Sequence, residues 1–106
     1  MKMLIIEDDS AIVEAIKCAF KLGWPGIEII SADWGQDGIT KVETEAPDVV
    51  ILDLGLPDIN GLDVIKGIRK FSKVPILVLT ARTEETVVVQ ALEFGANDYV
   101  SKPNNL

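Results

Sequence analysis

Residues 48–57 read DVVILDLGLP, and this stretch decides the fold. Residues 49–52 are apolar without alternation, which is the pattern of a strand buried on both faces of a parallel sheet. Asp53 ends the apolar run, and the following segment, 55–61, is rich in residues that form turns. The stretch therefore predicts a buried parallel strand with a carboxylate at its carboxyl end.

The rest of the chain repeats this order of strand and helix. Further strands are predicted at 2–6, 27–32, 76–79 and 98–101, and helices after Ser10 and at 36–45, 62–71 and 83–94. Alternating strands and helices form a parallel sheet with right-handed crossovers and helices on both faces. Because five strands are matched by only four helices, we expect one α/β domain over residues 1–106 that is truncated before a fifth helix.

The first helix follows three acidic residues. Asp9 or Ser10 is suited to cap its amino end, because a side-chain oxygen there can accept from a free backbone amide. Residues at helical spacing form an apolar face: Ile12, Val13, Ile16, Ala19 and Phe20. We expect this face, Phe20 included, to pack on the sheet, and Cys18 to be buried or half-buried.

Polar side chains stand at the carboxyl ends of the predicted strands. Glu7 and Asp8 follow the first strand, and Asp53 follows the third. Thr80 follows the fourth strand and Lys102 the fifth. In an open parallel sheet these ends lie at one edge, where such folds bind ligands. Carboxylates suit a hard cation such as Mg²⁺, and an amine suits an anion held on it. The sequence therefore predicts a site for a phosphoryl group on Asp53.

Composition excludes several classes of function. The 106 residues fit one domain, with a soluble balance of 48% hydrophobic and 25% charged residues. A net charge of −7 argues against direct binding to nucleic acid or an anionic membrane, since both need a basic surface. The lack of histidine excludes a His-ligated metal. A single cysteine and the lack of any run long enough to span a membrane favour the cytoplasm.

Five motifs in order resemble one known family. They are residues 4–9 (LIIEDD), 48–57, 79–81 (LTA), 95–99 (GANDY) and 102–103 (KP). Together they resemble the receiver domain of two-component response regulators, most closely the subfamily whose receivers precede winged-helix DNA-binding domains. Each motif is weak alone, but five at this spacing are highly specific. The resemblance implies a flavodoxin-like, doubly wound five-stranded sheet of order 2-1-3-4-5.

The resemblance also implies which residues hold a metal. Asp53 is the expected phosphoacceptor, since a carboxylate can attack phosphorus and carry an acyl phosphate. Asp8 would bind Mg²⁺ or Mn²⁺ directly and Glu7 through water. Asp53 and the backbone carbonyl of Gly55 would complete the ligands. Asp9 is interpreted as a helix cap and not as a ligand.

Other family residues concern the phosphoryl group and a conformational switch. Thr80 would hydrogen bond to one phosphoryl oxygen, and Lys102 would pair with another. The peptide bond before Pro103 would be cis, an isomer essentially confined to proline. Tyr99 matches the aromatic residue that turns inward when Thr80 moves. Phosphorylation by a sensor histidine kinase would remodel the face formed by the fourth helix and fifth strand, and so control an output domain, absent here, that acts on transcription.

Two expectations concern this chain in particular. We expect the chain to be a phosphoacceptor and not an enzyme. Its self-dephosphorylation should be slow, because Gly55 offers no side chain to orient an attacking water. We also expect an exposed apolar patch near the first and fifth strands, where a fifth helix would otherwise lie. The chain should therefore be marginally stable, or self-associate through this patch, or swap elements with a neighbour.

Three other functions fit the pattern less well. A Mg²⁺-dependent phosphohydrolase with an aspartyl intermediate usually has a second acid two residues after the nucleophile, where this chain has Gly55. A carrier of FMN needs a hydroxyl- and glycine-rich loop after the first strand, where the acidic residues would repel phosphate. A phosphorylation-independent interaction module remains open, but the complete set of acceptor residues argues against it.

Overall fold

The computed structural model describes residues 1–82 and 84–102. The strands are β1 Lys2–Ile6, β2 Glu28–Ala32, β3 Val49–Leu52, β4 Ile76–Thr80 and β5 Asp98–Ser101. The helices are α1 Ser10–Gly23, α2 Gly35–Glu45, α3 Gly61–Arg69 and α4 Glu85–Glu93. The strands form one parallel sheet in the order β2-β1-β3-β4-β5, which confirms the predicted doubly wound α/β fold.

The central strands are buried because each has a neighbour on both sides and helices above or below. In β1, Leu4 lies opposite Ile30 of β2 and Val50 of β3, and Leu4 and Val50 are fully buried. The chain leaves β1 toward β2 but leaves β3 toward β4, so the winding direction reverses between β1 and β3. Their carboxyl ends therefore border a crevice, which is where open α/β sheets hold ligands.

The helices cover the two faces of the sheet unequally. Residues of α2, α3 and α4 join the larger core, namely Val42, Val64, Ile65, Ile68, Val87 and Ala91. On the other face, α1 contributes Val13 to a smaller cluster with Met3 and Ile5. No helix in the described ranges is long and apolar enough to cross a membrane.

An apolar groove of about 240 Å³ opens beside α1. It is lined by Met1, Met3, Phe20, Trp24, Ile27, Val49, Ile51 and Leu77. No residue of β5 lines the groove, which lies over β1, β3 and β4 and not beside both the first and fifth strands as expected. It is the surface through which we expect self-association, which stays a prediction that sedimentation velocity can check. The expected lack of a fifth helix concerns residues outside the described part of the chain.

The prediction for the apolar face of α1 was partly wrong. Of its predicted members only Val13 is buried, whereas Phe20 is 36% exposed. Cys18 is exposed and not half-buried. The reason is that α1 has the open groove along one flank, so part of a face with helical periodicity meets solvent and not the sheet.

Several helix boundaries differ from the predictions by one or two residues. α2 begins at Gly35, one residue early, because a distant side chain caps it, as described below. α3 ends at Arg69, so Phe71 lies beyond it and is 46% exposed. α4 is described from Glu85, and the predicted start at Thr83 lies outside the described residues.

Gly61 is the point of closest backbone approach in the turn after β3. A Cβ at this position would lie 2.4 Å from the Leu54 Cα and 3.0 Å from the Asp53 carbonyl oxygen. Backbone atoms cannot yield as a flexible side chain does. We therefore expect Gly61→Ala to lower the free energy of unfolding by about 3 kcal/mol, at the upper end of overpacking effects, as measured by urea denaturation.

Gly23→Ala is the matched control for this substitution. A Cβ at Gly23 would meet nothing within 4 Å, and the residue ends α1. Its stability should be unchanged or slightly higher, since alanine restricts the unfolded chain more than glycine does. Equal stability of the two variants would contradict the close approach at Gly61.

Candidate functional site

Backbone hydrogen bonds between neighbouring strands continue one residue beyond the strand ends. They therefore fix the positions of the residues that form the site. The Asp53 amide donates to the Ile6 carbonyl at 3.0 Å, which ties the end of β3 to the end of β1. The Lys102 amide donates to the Thr80 carbonyl at 2.8 Å, which ties the end of β5 to β4. The polar residues that the sequence placed at separate strand ends therefore share one edge of the sheet.

Three carboxylates meet at this edge. Glu7, Asp8 and Asp53 each present an oxygen, and these oxygens lie within 4.8 Å of one another. Glu7 and Asp53 are buried, whereas Asp8 is exposed to the crevice side. A site with carboxylate oxygens that is buried on one side and open to solvent on the other suits a hard divalent cation, because such a cation keeps some of its bound water. Asp9 instead accepts from the Ala11 amide at 3.0 Å, which confirms it as the cap of α1.

Lys102 supplies the positive charge of the site. Its Nζ lies 2.5 Å from Glu7 Oε1 and 3.3 Å from Asp53 Oδ2. The side chain is only 12% exposed, so the ammonium is nearly as buried as its partners. Burial opposes its charge, but the hydrogen bond to Glu7 and the Asp53 charge raise its pKa above the usual value. Lys102 therefore stays protonated at neutral pH.

The two buried carboxylates have opposite pKa shifts. Burial raises the pKa of Glu7 from its ordinary 4.5 to about 7, with the Asp53 charge adding to the rise and Lys102 opposing it. Burial also disfavours the charge on Asp53, but hydrogen bonding from the Thr80 hydroxyl and from Glu7, with the Lys102 charge, lowers its pKa. At neutral pH Asp53 is therefore ionised, and Glu7 holds a proton in part of the molecules.

The remaining predicted residues have different surroundings. Thr80 is 1% exposed, and its hydroxyl accepts from the Arg82 amide at 3.3 Å. Gly55 is exposed beside Asp53, and its backbone amide is among the groups that lower the pKa of Asp53. Tyr99 packs against the larger core, and its hydroxyl is buried with no hydrogen-bond partner in the described part of the chain. Pro103, with its expected cis bond, lies outside the described residues.

Sequence reasoning missed two contacts at this edge. It assigned Lys102 to a phosphoryl oxygen, but here the amine pairs with Glu7, a residue 95 positions away. It also did not single out Asp58, whose carboxylate accepts from the Gly35 amide at 2.7 Å. Neither contact has a local signal, because each joins segments that only the folded sheet brings together.

The chain matches the family described as the response regulator receiver domain over residues 3–106. With the fold and the acidic edge described above, this match means that the chain belongs to the response regulator receiver family. The transcriptional regulatory protein KdpE of Staphylococcus aureus is 45% identical over 105 residues, which are 99% of this chain and 45% of that protein. PhoP of Bacillus subtilis, a regulator of alkaline phosphatase synthesis, is 40% identical over 96% of this chain and 42% of its own length. The chain thus spans less than half the length of these curated relatives.

Solved structures agree with the fold. The Mn²⁺-bound form of the response regulator Rcp1 superimposes with a TM-score of 0.90 at 26% identity, over 99% of this chain and 83% of that one. The BeF₃-activated receiver domain of Klebsiella pneumoniae RstA gives a TM-score of 0.86 at 27% identity, over 99% and 90% of the two chains.

The raised pKa of Glu7 has a consequence for stability. Between pH 4.5 and about 7, the folded metal-free chain keeps a proton on Glu7 that the unfolded chain has released. The contribution of Glu7 to the free energy of unfolding is therefore full below pH 4.5 and is lost as the pH rises through about 7. We expect a carboxyl ¹³C NMR titration of the metal-free protein to place the Glu7 midpoint near 7.

Two variants should move this midpoint in opposite directions. Asp53→Asn removes a negative neighbour and should lower the pKa of Glu7, whereas Lys102→Met removes its cationic partner and should raise it. A wild-type midpoint near the ordinary 4.5 would contradict the burial of Glu7 beside Asp53.

Proposed function

We propose that this domain accepts a phosphoryl group on Asp53 in the presence of a divalent cation, and thereby acts as the switch of a longer response regulator. The observation that carries the proposal is the state of Asp53. Its carboxylate is buried, ionised by its surroundings and 3.3 Å from the Lys102 ammonium, in a crevice with two further carboxylates. That combination is suited to a nucleophile whose product carries more negative charge than the reactant.

The donor set fits Mg²⁺ or Mn²⁺. Glu7, Asp8 and Asp53 supply carboxylate oxygens, and the Gly55 carbonyl would supply a neutral one. When bound, the cation would neutralise charge on the phosphoryl oxygens. Glu7 must be deprotonated for this role, so a proton leaves the site as the metal enters. A Mn²⁺-bound relative of the same fold supports a divalent ion here.

In the proposed transfer, an oxygen of Asp53 attacks the phosphorus of the donor. A bond forms between that oxygen and phosphorus, and the bond from phosphorus to the donor breaks, with the leaving group keeping the electron pair. Lys102 is close enough to pair with a phosphoryl oxygen on Asp53, and the Thr80 hydroxyl lies at the end of the adjoining strand. Lys102 and Thr80 would both stabilise the negative charge that the phosphoryl group adds to the site.

The switch would act through Thr80 and Tyr99. The buried Tyr99 hydroxyl lacks a partner among the described residues, and such a group costs free energy. A second position of Tyr99, in which its hydroxyl finds a partner, would recover this free energy. A modest bias from the phosphoryl group could then shift the population toward that position. The affected face is that of α4 and β5. We propose a sensor histidine kinase as donor, transcription as output and the cytoplasm as location, supported by the longer regulators to which the chain is similar.

A phosphohydrolase is the less favoured function. The residue two positions after Asp53 is Gly55, which carries no carboxylate to act on a water. We therefore propose an acceptor with slow self-dephosphorylation and not an enzyme that turns over.

The central test is phosphorylation with a small phosphodonor such as acetyl phosphate. With Mg²⁺ present, intact-mass measurement should show one added phosphoryl group, because the ionised Asp53 is the acceptor. Asp53→Asn should show none, since an amide is a poor nucleophile. Asp8→Ala should be labelled much more slowly, while its melting temperature should no longer respond to Mg²⁺.

Asp63→Asn is the control for loss of an acidic residue, because Asp63 lies in α3 and outside the acidic cluster. It should be labelled like the wild type. Undiminished labelling of Asp53→Asn at the same site, or equal labelling with and without divalent metal, would overturn the proposal.

The lifetime of the aspartyl phosphate depends on position 55. A Cβ at Gly55 would lie 3.8 Å from Asp53 Oδ2, an ordinary contact, so a side chain fits there. Gly55→Asn would offer a hydrogen-bonding group to an attacking water, and one such bond to a charged reacting group corresponds to about tenfold or more in rate. We expect dephosphorylation, followed by mass after removal of the donor, to be faster by that factor.

Gly55→Ala separates water positioning from simple bulk. It adds the same Cβ but no polar group, so its decay rate should match that of the wild type. Equal acceleration in both variants would show that backbone change, and not the added amide, controls the lifetime.

A further inference from the structure

Helix α2 is capped by a residue outside its own segment. Its N-cap residue, Trp34, makes no side-chain capping hydrogen bond. Instead, Asp58 accepts from the Gly35 amide at 2.7 Å through one carboxylate oxygen and from the Gln36 amide at 2.9 Å through the other. A carboxylate that takes two amides at a helix amino end combines charge-assisted hydrogen bonds with a favourable helix dipole. The pKa of Asp58 is accordingly lowered, mainly by the Gln36 amide.

Asp58 belongs to the loop of residues 53–60 that joins β3 to α3. The following residue, Ile59, packs so closely on α2 that a Cβ at Gly35 would lie 2.6 Å from Ile59 Cγ1. The loop end is closed by Asn60, which caps α3 through the Leu62 amide at 2.9 Å. The second half of the loop is therefore held at α2 and α3.

The first half of the same loop forms part of the acidic site. Gly55 is exposed beside Asp53, since a Cβ built on it would lie 3.8 Å from Asp53 Oδ2, and its carbonyl is the proposed neutral metal ligand. Gly55 has no side chain to anchor it, but its neighbour Leu54 is buried in the larger core, where its carbonyl accepts from the Gly61 amide at 3.0 Å, and Leu56 packs against the same core. The loop around Gly55 is therefore held by Leu54 and Leu56 at the core and by Asp58 at the amino end of α2.

We infer that Asp58 is a positioning residue for the acidic site: its carboxylate clamps the loop to the amino end of α2 and so keeps the Gly55 amide and carbonyl beside Asp53. The inference deepens the proposed function and rests on it for the role of the Gly55 carbonyl. The role of Asp58 in holding the Gly55 amide is independent of any metal.

The test compares Asp58→Ala with a variant that loses similar contacts at the opposite edge of the sheet. Asn97 is that control, because its side-chain oxygen accepts from the Ile76 amide at 2.9 Å and from Arg69 at 3.0 Å. Three quantities are measured for each: stability in urea, hydrogen exchange of the Gly55 amide in the metal-free protein, and the Kd for Mg²⁺ by calorimetry.

We expect both variants to be less stable than the wild type, but only Asp58→Ala to change the site. Its Gly55 amide should exchange faster, and its Kd for Mg²⁺ should rise about tenfold, the lower end of effects from residues that orient metal ligands. Asp58→Asn keeps one acceptor oxygen and should give an intermediate Kd. If Asp58→Ala fails to fold, Asp58→Asn carries the test, and wild-type values in it would overturn the inference.

The outcomes separate this inference from the proposed function. The clamp would be overturned if Asp58→Ala matched the wild type both in exchange of the Gly55 amide and in affinity for Mg²⁺. If the wild type itself binds Mg²⁺, that result would leave the proposed function standing. Equal losses of Mg²⁺ affinity in the Asp58 and Asn97 variants would also overturn the clamp, since they would reflect stability alone. A wild-type protein that binds no Mg²⁺ would overturn the proposed function, and with it the part of the inference that concerns the metal.

Discussion

Lys102 reaches across the sheet edge to Glu7 and Asp53, and the arrangement of the site depends on this shared ammonium. Two buried carboxylates with one buried cation leave an excess negative charge, which the fold relieves by keeping a proton on Glu7 in part of the molecules. Removing a charged group from water costs several kcal/mol unless a partner compensates. In the proposed function, a divalent cation would take the place of this proton, with Asp53 ionised throughout.

Strands and loops contribute differently to this site. Glu7, Asp53 and Thr80 are fixed by the backbone ladder of the sheet, whose central strands are mostly buried. Gly55 has no side chain of its own to pack, so the loop around it is held by its neighbours Leu54 and Leu56 at the core and by contacts further along the chain. In the inference drawn above, Asp58 provides one of them from the surface of α2. In the proposed function, a rigid edge combined with a tethered loop would let a metal and a phosphoryl group enter without disturbance of the core.

The two faces of the sheet have different relations to function. The face covered by α2, α3 and α4 contains the larger core and includes Tyr99, whose buried hydroxyl lacks a partner among the described residues. A signal from Asp53 toward α4 and β5 would pass through this packed layer. The other face is covered by α1 and opens into an apolar groove, whose lining residues do not include any member of the acidic cluster.

The sequence by itself determined the strand and helix order, the burial of β3 and the set of polar residues at the strand ends. These features depend on local periodicity and on residue type, which need no knowledge of distant neighbours. The tertiary structure alone decided that Lys102 pairs with Glu7, that the pKa of Glu7 rises to about 7, and that Asp58 caps α2. It also decided that Phe20 borders an open groove and not the core. Each of these features depends on which segments meet in space and on how much water is excluded where they meet. No short stretch of the chain encodes the meeting of distant segments or the exclusion of water between them.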